Sequence, residues 1–244
     1  MTIQLEAEDD RQEENVLAEF PDGEELTITK VEREPRSGYR YLLHFGPYRL
    51  SVHEDIMIKY RMITGSVFTK AELEEVVLAD EKQRAYVEGL RYLERKPRTA
   101  MEMTRRLRQK EIGETVVEEV LGRLIRERLI DDDQYARQWA EQRVTAHRRG
   151  KLWVRQELRG KGIAKETIAE ALGEISPEQE KESAMQLGAK KWNTIRGDLM
   201  DKRRKTGAFL MRRGYSGEIV RVVLNSLKED EADAGEFEDL NEFE

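Results

Sequence analysis

A motif that recurs at a nearly fixed period constrains this sequence more than any other feature. Residues 107–112 (LRQKEI) recur 51 positions later as residues 158–163 (LRGKGI). A looser copy, LMRRGY, follows after 52 further positions at residues 210–215. Self-similarity of this kind indicates one supersecondary unit that is used several times, with each unit burying its apolar face against its neighbours.

Helix start signals divide the chain from about residue 70 onward. Thr69 with Glu72 and Thr99 with Glu102 match the capping box, in which a hydroxyl and a carboxylate satisfy free amides at a helix start. Ser176 followed by Pro177 is a third start signal, since proline fits the first helical position. The apolar residues between these signals recur at helical spacing, which predicts amphipathic helices.

The residues before this region predict a small sheet. Residues 26–31 alternate between apolar and polar side chains, and residues 39–45 and 48–52 follow after turn residues. This pattern predicts a three-stranded antiparallel meander, followed by a helix over residues 53–63.

We therefore predict a mainly α protein with three tandem three-helix repeats in a curved array, preceded by a small α+β module with a three-stranded antiparallel meander. The predicted segments are an acidic flexible N-terminus (1–24), the α+β module (25–80), repeat 1 (81–130), repeat 2 (131–175), repeat 3 (176–228) and an acidic disordered tail (229–244).

Composition excludes several classes of protein. The chain has no cysteine, which rules out disulfides and thiolate metal sites and favours an intracellular setting. No apolar run approaches the roughly 20 residues of a membrane span, and the acidic start is unlike a signal peptide. We expect a cytoplasmic monomer with no membrane contact and no cofactor.

The net charge of −7 hides a division along the chain. Residues 1–83 carry 10 basic and 19 acidic side chains, whereas residues 84–228 carry 33 and 22. Residues 229–244 carry nine acidic side chains and no basic ones. A basic middle section of this kind usually contacts a polyanion or an acidic groove.

Basic residues recur on the middle helix of each predicted repeat, often seven positions apart on one helix face. The candidate residues for contact with a partner or a nucleic acid are Arg98, Arg105, Arg106, Arg148, Arg149, Lys151, Arg155, Arg159, Lys205 and Arg212. Arginine suits carboxylates and phosphates alike, so the target could be an acidic protein surface, a nucleic-acid backbone or both. Alternatively, these arginines are ordinary exposed residues that pair with glutamate four positions away.

Other residues that could carry chemistry have simpler interpretations. The run Asp131–Asp133 lies at a predicted helix start and lacks a calcium-loop pattern, so we interpret it as a helix cap rather than a metal site. Trp139 and Trp192 are expected in the core, and Trp153 could be either buried or an interface anchor. The three histidines form no recognisable catalytic pattern, so we predict no metal site, no catalytic residue and no enzymatic activity.

Four segments of the chain carry a recognisable pattern: residues 92–99 (YLERKPRT), residues 129–136 (LIDDDQYA), Gly150 followed by residues 157–163 (ELRGKGI), and residues 210–215 before Ile219 and Val220. These segments resemble the RecX family of bacterial recombinase regulators. Together they span about residues 80–228. The preceding module, with residues 48–55, resembles the extension of family members from Gram-positive bacteria. Thr99 stands where the family commonly has serine, which retains the cap.

The resemblance implies a protein that binds RecA filaments along their helical groove. It further implies modulation, mainly inhibition, of RecA ATP hydrolysis and strand exchange in recombination and DNA repair. Some family members also promote filament disassembly, and contact with single- or double-stranded DNA has been attributed to the family.

A second hypothesis from the residues is a helical-repeat protein that acts directly on DNA, because three-helix units can contain a helix-turn-helix. Against sequence-specific binding, no helix carries Asn, Gln and Arg in an arrangement suited to reading bases.

Overall fold

The structure, a computed structural model, describes residues 16–35 and 38–241. Within these ranges it contains ten helices and five short strands, which confirms the predicted mainly helical class with a small α+β module. No helix in the described part is both long enough and apolar enough to cross a bilayer.

Contacts divide the chain into two compact units. The first contains Tyr92 and the described residues before it, together with Leu107–Arg123. The second contains Leu93–Arg106 together with the described residues from Leu124 onward. All ten basic residues that the sequence analysis selected belong to the second unit.

The predicted antiparallel meander is present in the first unit. Strands β2 (Lys30–Arg33), β3 (Arg40–Phe45) and β4 (Tyr48–His53) pair in chain order. Helix α1 (Glu54–Lys59) follows β4 directly and is shorter than the helix predicted over residues 53–63. The imidazole of His53 begins this helix by accepting a hydrogen bond from the amide of Asp55.

The first predicted strand is broken into two pieces that belong to different sheets. Strand β1 (Leu26–Thr27) pairs with strand β5 (Val67–Phe68), whereas β2 joins the meander. Between β1 and β2, the buried Ile28 exchanges backbone hydrogen bonds with the turn before β5, and the amide of Thr29 already donates to His44. The alternating pattern predicts extended backbone but does not specify its partner.

The segment predicted to be flexible, residues 1–24, lies mostly outside the described residues. The structure departs from that prediction at residues 16–24, because Leu17 and Phe20 are 1% and 4% exposed in the core of the module. The ring of Phe20 packs 5.8 Å from that of Phe45 and 5.0 Å from that of Tyr48. Two apolar side chains therefore anchor an otherwise acidic segment.

Helix α2 (Lys70–Leu93) is continuous across the module boundary predicted between residues 80 and 81. The capping box at Thr69 and Glu72 is present, with both reciprocal hydrogen bonds. Asp80, in the middle of α2, is buried and accepts hydrogen bonds from the amide of His53 and from the guanidinium of Arg40. This carboxylate ties the helix to the sheet at the place where the sequence predicts a separation.

In the described part of the chain, eight further helices follow α2: α3 (Ala100–Arg108), α4 (Glu114–Arg126), α5 (Asp132–Thr145), α6 (Lys151–Gly160), α7 (Lys165–Gly173), α8 (Pro177–Asn193), α9 (Leu199–Arg212) and α10 (Gly217–Asn241). Together with α2 they form three successive groups of three in chain order, α2–α4, α5–α7 and α8–α10. The unit boundaries fall within α3 and α4. Helices α5–α7 enclose one apolar cluster around Val154 and Leu158, and helices α8–α10 enclose another around Leu210 and Val223.

The acidic tail is helical where the sequence predicted no structure. Helix α10 continues to Asn241, and residues 242–244 lie outside the described part. Glu231 accepts a hydrogen bond from the indole of Trp192 at 2.8 Å and pairs with the ammonium group of Lys202. These two partners hold the beginning of the predicted tail against α8 and α9.

Candidate interaction surface

The link between α5 and α6 packs directly on the link between α9 and α10. The amide of Gly150 donates to the carbonyl of Arg213 at 3.0 Å, and the amide of Leu152 donates to that of Gly214 at 3.2 Å. A β-carbon on Gly150 would lie 2.1 Å from the carbonyl oxygen of Gly214. We call this contact the glycine joint, and it requires a residue without a side chain at Gly150.

A buried carboxylate completes the glycine joint. Glu180 is 6% exposed and accepts a hydrogen bond from the amide of Lys151 at the start of α6. The ammonium group of Lys151 donates to the carbonyl of Ile175 at 2.6 Å. Lys151, which the sequence analysis selected for partner contact, is therefore used inside the protein to fix the start of α6.

Next to the glycine joint, basic residues line an open pocket of about 450 Å³. We call it the basic pocket; its lining residues are Arg143, Ala146, His147, Arg148, Arg149, Trp153, Leu187 and Arg213. It combines two residues that the sequence analysis selected, Arg148 and Arg149, with two that it missed, Arg143 and Arg213. Arg148 has a left-handed backbone, with φ of 47°, which is uncommon for a residue with a side chain.

The four arginines of the basic pocket differ in which hydrogen-bond, ion-pair or aromatic partners the protein provides for their guanidinium groups. Arg143 pairs with Glu157 at 3.2 Å, and Arg148 donates to the neutral amide oxygen of Gln186 at 2.9 Å. The guanidinium of Arg149 stacks on Trp153, 4.1 Å from the ring centroid. The buried Nε of Arg213 has no hydrogen-bond acceptor among the described residues.

Burial lowers the pKa of Arg149 below its usual value, and the neighbouring charge of Arg213 lowers it further, whereas the carboxylate of Glu157 partly opposes the shift. A guanidinium nevertheless stays protonated at any physiological pH. The fold therefore holds a positive charge here that its surroundings disfavour.

Outside the pocket, exposed arginines occur on the middle helix of each group of three. Arg105 on α3, Arg155 and Arg159 on α6, and Arg212 on α9 are exposed, and none forms an ion pair among the described residues. Pairing within the helix therefore does not account for Arg155 and Arg159.

Pairing within the helix does account for Lys205, whose ammonium group lies 3.0 Å from Asp201 four positions earlier. Arg98 and Arg106 are half-buried.

A second, smaller pocket of about 380 Å³ lies beside a pair of stacked aromatic rings. Tyr135 and Trp139 stack with centroids 5.5 Å apart, and Lys96 and Pro97 also line the pocket. Trp139, predicted in the core, packs against the apolar cluster of α5–α7 but is only half-buried, and its indole donates to Glu157 at 2.9 Å. Trp192 is buried as predicted, at 3% exposure, and Trp153 is half-buried in the basic pocket.

The three consecutive aspartates each hold a different helix start. Asp131 caps α5 as predicted, by accepting a hydrogen bond from the amide of Gln134. Asp132 accepts from the amide of Ala100 at the start of α3, and Asp133 accepts from the hydroxyl of Thr167 near the start of α7. The local cap could be predicted from the position of the run before a helix, whereas the two contacts between helices could not. No group of potential metal ligands occurs among the residues that the structure describes.

Burial raises the pKa of the Asp132 carboxyl above its usual value. The hydrogen bond from Ala100 opposes this shift, whereas the charges of Asp133, Asp131 and Glu102 add to it. A raised pKa in the folded state means that ionised Asp132 is disfavoured there, so its contribution to stability decreases as the pH rises above about 4.

Asp132→Asn should therefore gain stability relative to the wild type as the pH rises from about 4 to 7. The amide oxygen can still accept the hydrogen bond from Ala100, and the like-charge repulsion is removed. Urea unfolding of both proteins at the two pH values measures the change. Asp132→Ala is the control: it also lacks the ionisable group, so its stability relative to the wild type should rise over the same pH range, but it leaves the Ala100 amide without its acceptor and should be about 1 kcal/mol less stable than the Asn variant at both pH values. An Asn variant whose relative stability is independent of pH would contradict the assignment.

The histidines take separate structural or exposed positions. The ring of His44 contacts the carboxylate of Glu32 at 2.9 Å, and His53 caps α1. His147 is exposed at the edge of the basic pocket.

Comparison with known proteins places these helices in a family. The models of the first, second and third RecX three-helix domains match residues 85–124, 131–172 and 178–224, respectively. Middle helices α3, α6 and α9 therefore each lie in one domain of this kind.

Individual relatives match most of the chain. The regulatory protein RecX of Bacillus cereus is 30% identical over 88% of this chain and 82% of its own length, and that of Bacillus cytotoxicus is 28% identical over 87% and 81%. A crystal structure of a regulatory protein RecX superposes with a TM-score of 0.69 at 27% identity, covering 82% of this chain and 99% of that one. The crystal structure of RecX from Lactobacillus salivarius superposes with a TM-score of 0.59 at 26% identity, covering 62% and 98%. The domain matches and these relatives establish that the chain belongs to the RecX family of regulatory proteins.

Proposed function

We propose that this protein regulates RecA by binding along the helical groove of a RecA–DNA filament, and that it mainly inhibits ATP hydrolysis and strand exchange. The observation that carries the proposal is the set of exposed arginines without ion pairs on the middle helices α3, α6 and α9. Each of the three domains thus offers a basic contact of the same kind. Several weak contacts on one chain combine through effective concentration, which suits a partner that is itself a repeating polymer.

The chemistry of the surface agrees with a polyanionic partner. An arginine side chain presents a planar fork that pairs with carboxylates and phosphates, and both groups occur on a filament of protein and DNA. The contacts should therefore weaken as the salt concentration rises. We propose that the protein acts in the cytoplasm, as a monomer and without a catalytic step.

The direct test measures ATP hydrolysis by the cognate RecA on single-stranded DNA while this protein is added. Because one molecule would contact more than one RecA protomer, inhibition is expected at less than one molecule per protomer. The control is the same titration with RecA on DNA at raised salt, where inhibition should weaken. Unchanged hydrolysis at every ratio would reject the proposal.

The alternative function, direct action on DNA, has a separate test. Sequence-selective binding to duplex DNA that persists at raised salt would favour it, because contacts with phosphates alone weaken steeply with salt. We expect only weak, salt-sensitive binding to duplex DNA.

A further inference from the structure

The basic pocket brings more positive charge together than the protein neutralises. Four guanidinium groups line it, and one carboxylate, that of Glu157, pairs with one of them. Gln186, which holds Arg148, is neutral. Arg149 and Arg213 have no carboxylate partner among the described residues, although they are close enough for each charge to oppose the other.

The position of these charges is fixed by the fold rather than by flexible side chains alone. Gly150 and Leu152 bind the backbone of residues 213 and 214 through the glycine joint, so the α5–α6 link and the end of α9 cannot separate without breaking it. Stacking on Trp153 further restrains the guanidinium of Arg149. The protein therefore keeps two like charges together in a partly buried, preformed site, and a bound anion would offset their repulsion.

The number and geometry of the donors favour phosphate over carboxylate. A carboxylate carries one negative charge and two oxygens, and a single arginine fork already occupies both. Arg148, Arg149 and Arg213 together offer more charge and more donors than one carboxylate can satisfy. A phosphate group, or two linked ones, presents additional oxygens and charge that several forks can share.

We propose that the basic pocket is a phosphate-binding site, which takes the phosphates of a nucleic-acid backbone or of a free nucleotide. The site goes beyond the proposed function, because it is defined by its ligand and can be measured with no RecA present. Arg149 and Arg213 supply positive charge that no ion pair among the described residues neutralises, and Arg148 is held beside them by Gln186.

Calorimetric titration with inorganic pyrophosphate at low salt tests the site. The wild type should bind, and the double variant Arg149→Gln, Arg213→Gln should bind at least about tenfold more weakly, because charge-assisted hydrogen bonds are lost. The matched control is Arg221→Gln on α10, which removes an exposed arginine outside the pocket and should change the dissociation constant less than about twofold. Arg149→Lys should lie between these results, since it keeps the charge but loses the fork.

Thermal unfolding monitors the fold of every variant, and Arg149→Gln alone repeats the test if the double variant unfolds.

Competition then identifies the source of the phosphate: displacement of pyrophosphate by oligothymidylate assigns a nucleic-acid backbone, and displacement by ADP assigns a nucleotide. Absent binding to the wild type, or equal binding to the double variant, would overturn the proposal. Preferred binding of a glutamate-rich peptide over pyrophosphate at these same arginines would also overturn it, in favour of an acidic protein partner. None of these results depends on whether the protein inhibits RecA.

Discussion

Gly150→Ala is expected to destabilise the second unit by about 3 kcal/mol or more. The added methyl group would lie 2.1 Å from the carbonyl oxygen of Gly214 and 2.3 Å from the amide nitrogen of Tyr215. Both are backbone atoms, so no side chain can rotate out of the way, and the glycine joint must open. The φ angle of Gly150 is −72°, which alanine adopts readily, so the expected loss is purely steric.

Urea or thermal unfolding measures this loss, and Gly160→Ala is the matched control. Gly160 is the last residue of the same helix, and a β-carbon there has no neighbouring atom within 4 Å. Because alanine favours helix more than glycine does, the control should be as stable as the wild type or more stable by up to about 1 kcal/mol. If both variants unfold at the same denaturant concentration, the two links do not pack as closely as the structure indicates.

The helix starts were predictable from sequence because their stabilising contacts are local. At Thr99 and at Ser176, a hydroxyl meets an amide three residues later and a polar side chain returns the hydrogen bond. Asp131 reaches the amide of Gln134 in the same way. The two partners of each cap lie three positions apart in the chain, so four consecutive residues are enough to recognise it.

The basic pocket was only partly predictable, because its residues come from three separate segments. Helical spacing groups residues on one helix face, and it selected Arg148 but could not place Arg213 beside Arg149, 64 positions away. Arg143 offered no signal in the sequence. The recurring motif did include Arg213 and Gly214, yet nothing in it showed that Gly214 would meet Gly150.

Acidic composition predicted two segments differently from the structure, because a few specific contacts in each outweigh the effect of its charge. The density of acidic residues after residue 228 predicted a disordered tail, but Trp192 and Lys202 each bond Glu231 and hold the helix there. Likewise, Leu17 and Phe20 are two apolar residues in a polar segment, and their burial fixes it to the sheet. The average composition of a segment indicates whether burial can offset the conformational entropy lost on ordering, but a few specific buried contacts can offset that loss even in a polar segment.

Reversing the charge of two arginines on α6, Arg155→Glu with Arg159→Glu, is expected to abolish most of the inhibition of RecA. Both side chains are exposed and make no ion pair among the described residues, so they are available to a partner. Replacing two attractive charges with two repulsive ones should raise the protein concentration needed for half-inhibition of ATP hydrolysis by about tenfold or more. The fold should be unaffected, because two glutamates four positions apart repel each other about as much as the two arginines that they replace.

A control of equal charge separates a specific surface from general electrostatic attraction. Arg221→Glu with Lys228→Glu makes the same change in net charge on α10, which is not the middle helix of its domain, and both residues are exposed. If α6 contacts the filament, this variant should inhibit within about threefold of the wild type, since long-range attraction alone is largely screened near physiological salt. Circular dichroism should show equal helix content in all three proteins.

Equal loss of inhibition in both double variants would assign the effect to net charge, and inhibition at wild-type strength in the α6 variant would remove α6 from the contact surface. Only selective loss on α6 is consistent with a partner that touches the middle helices.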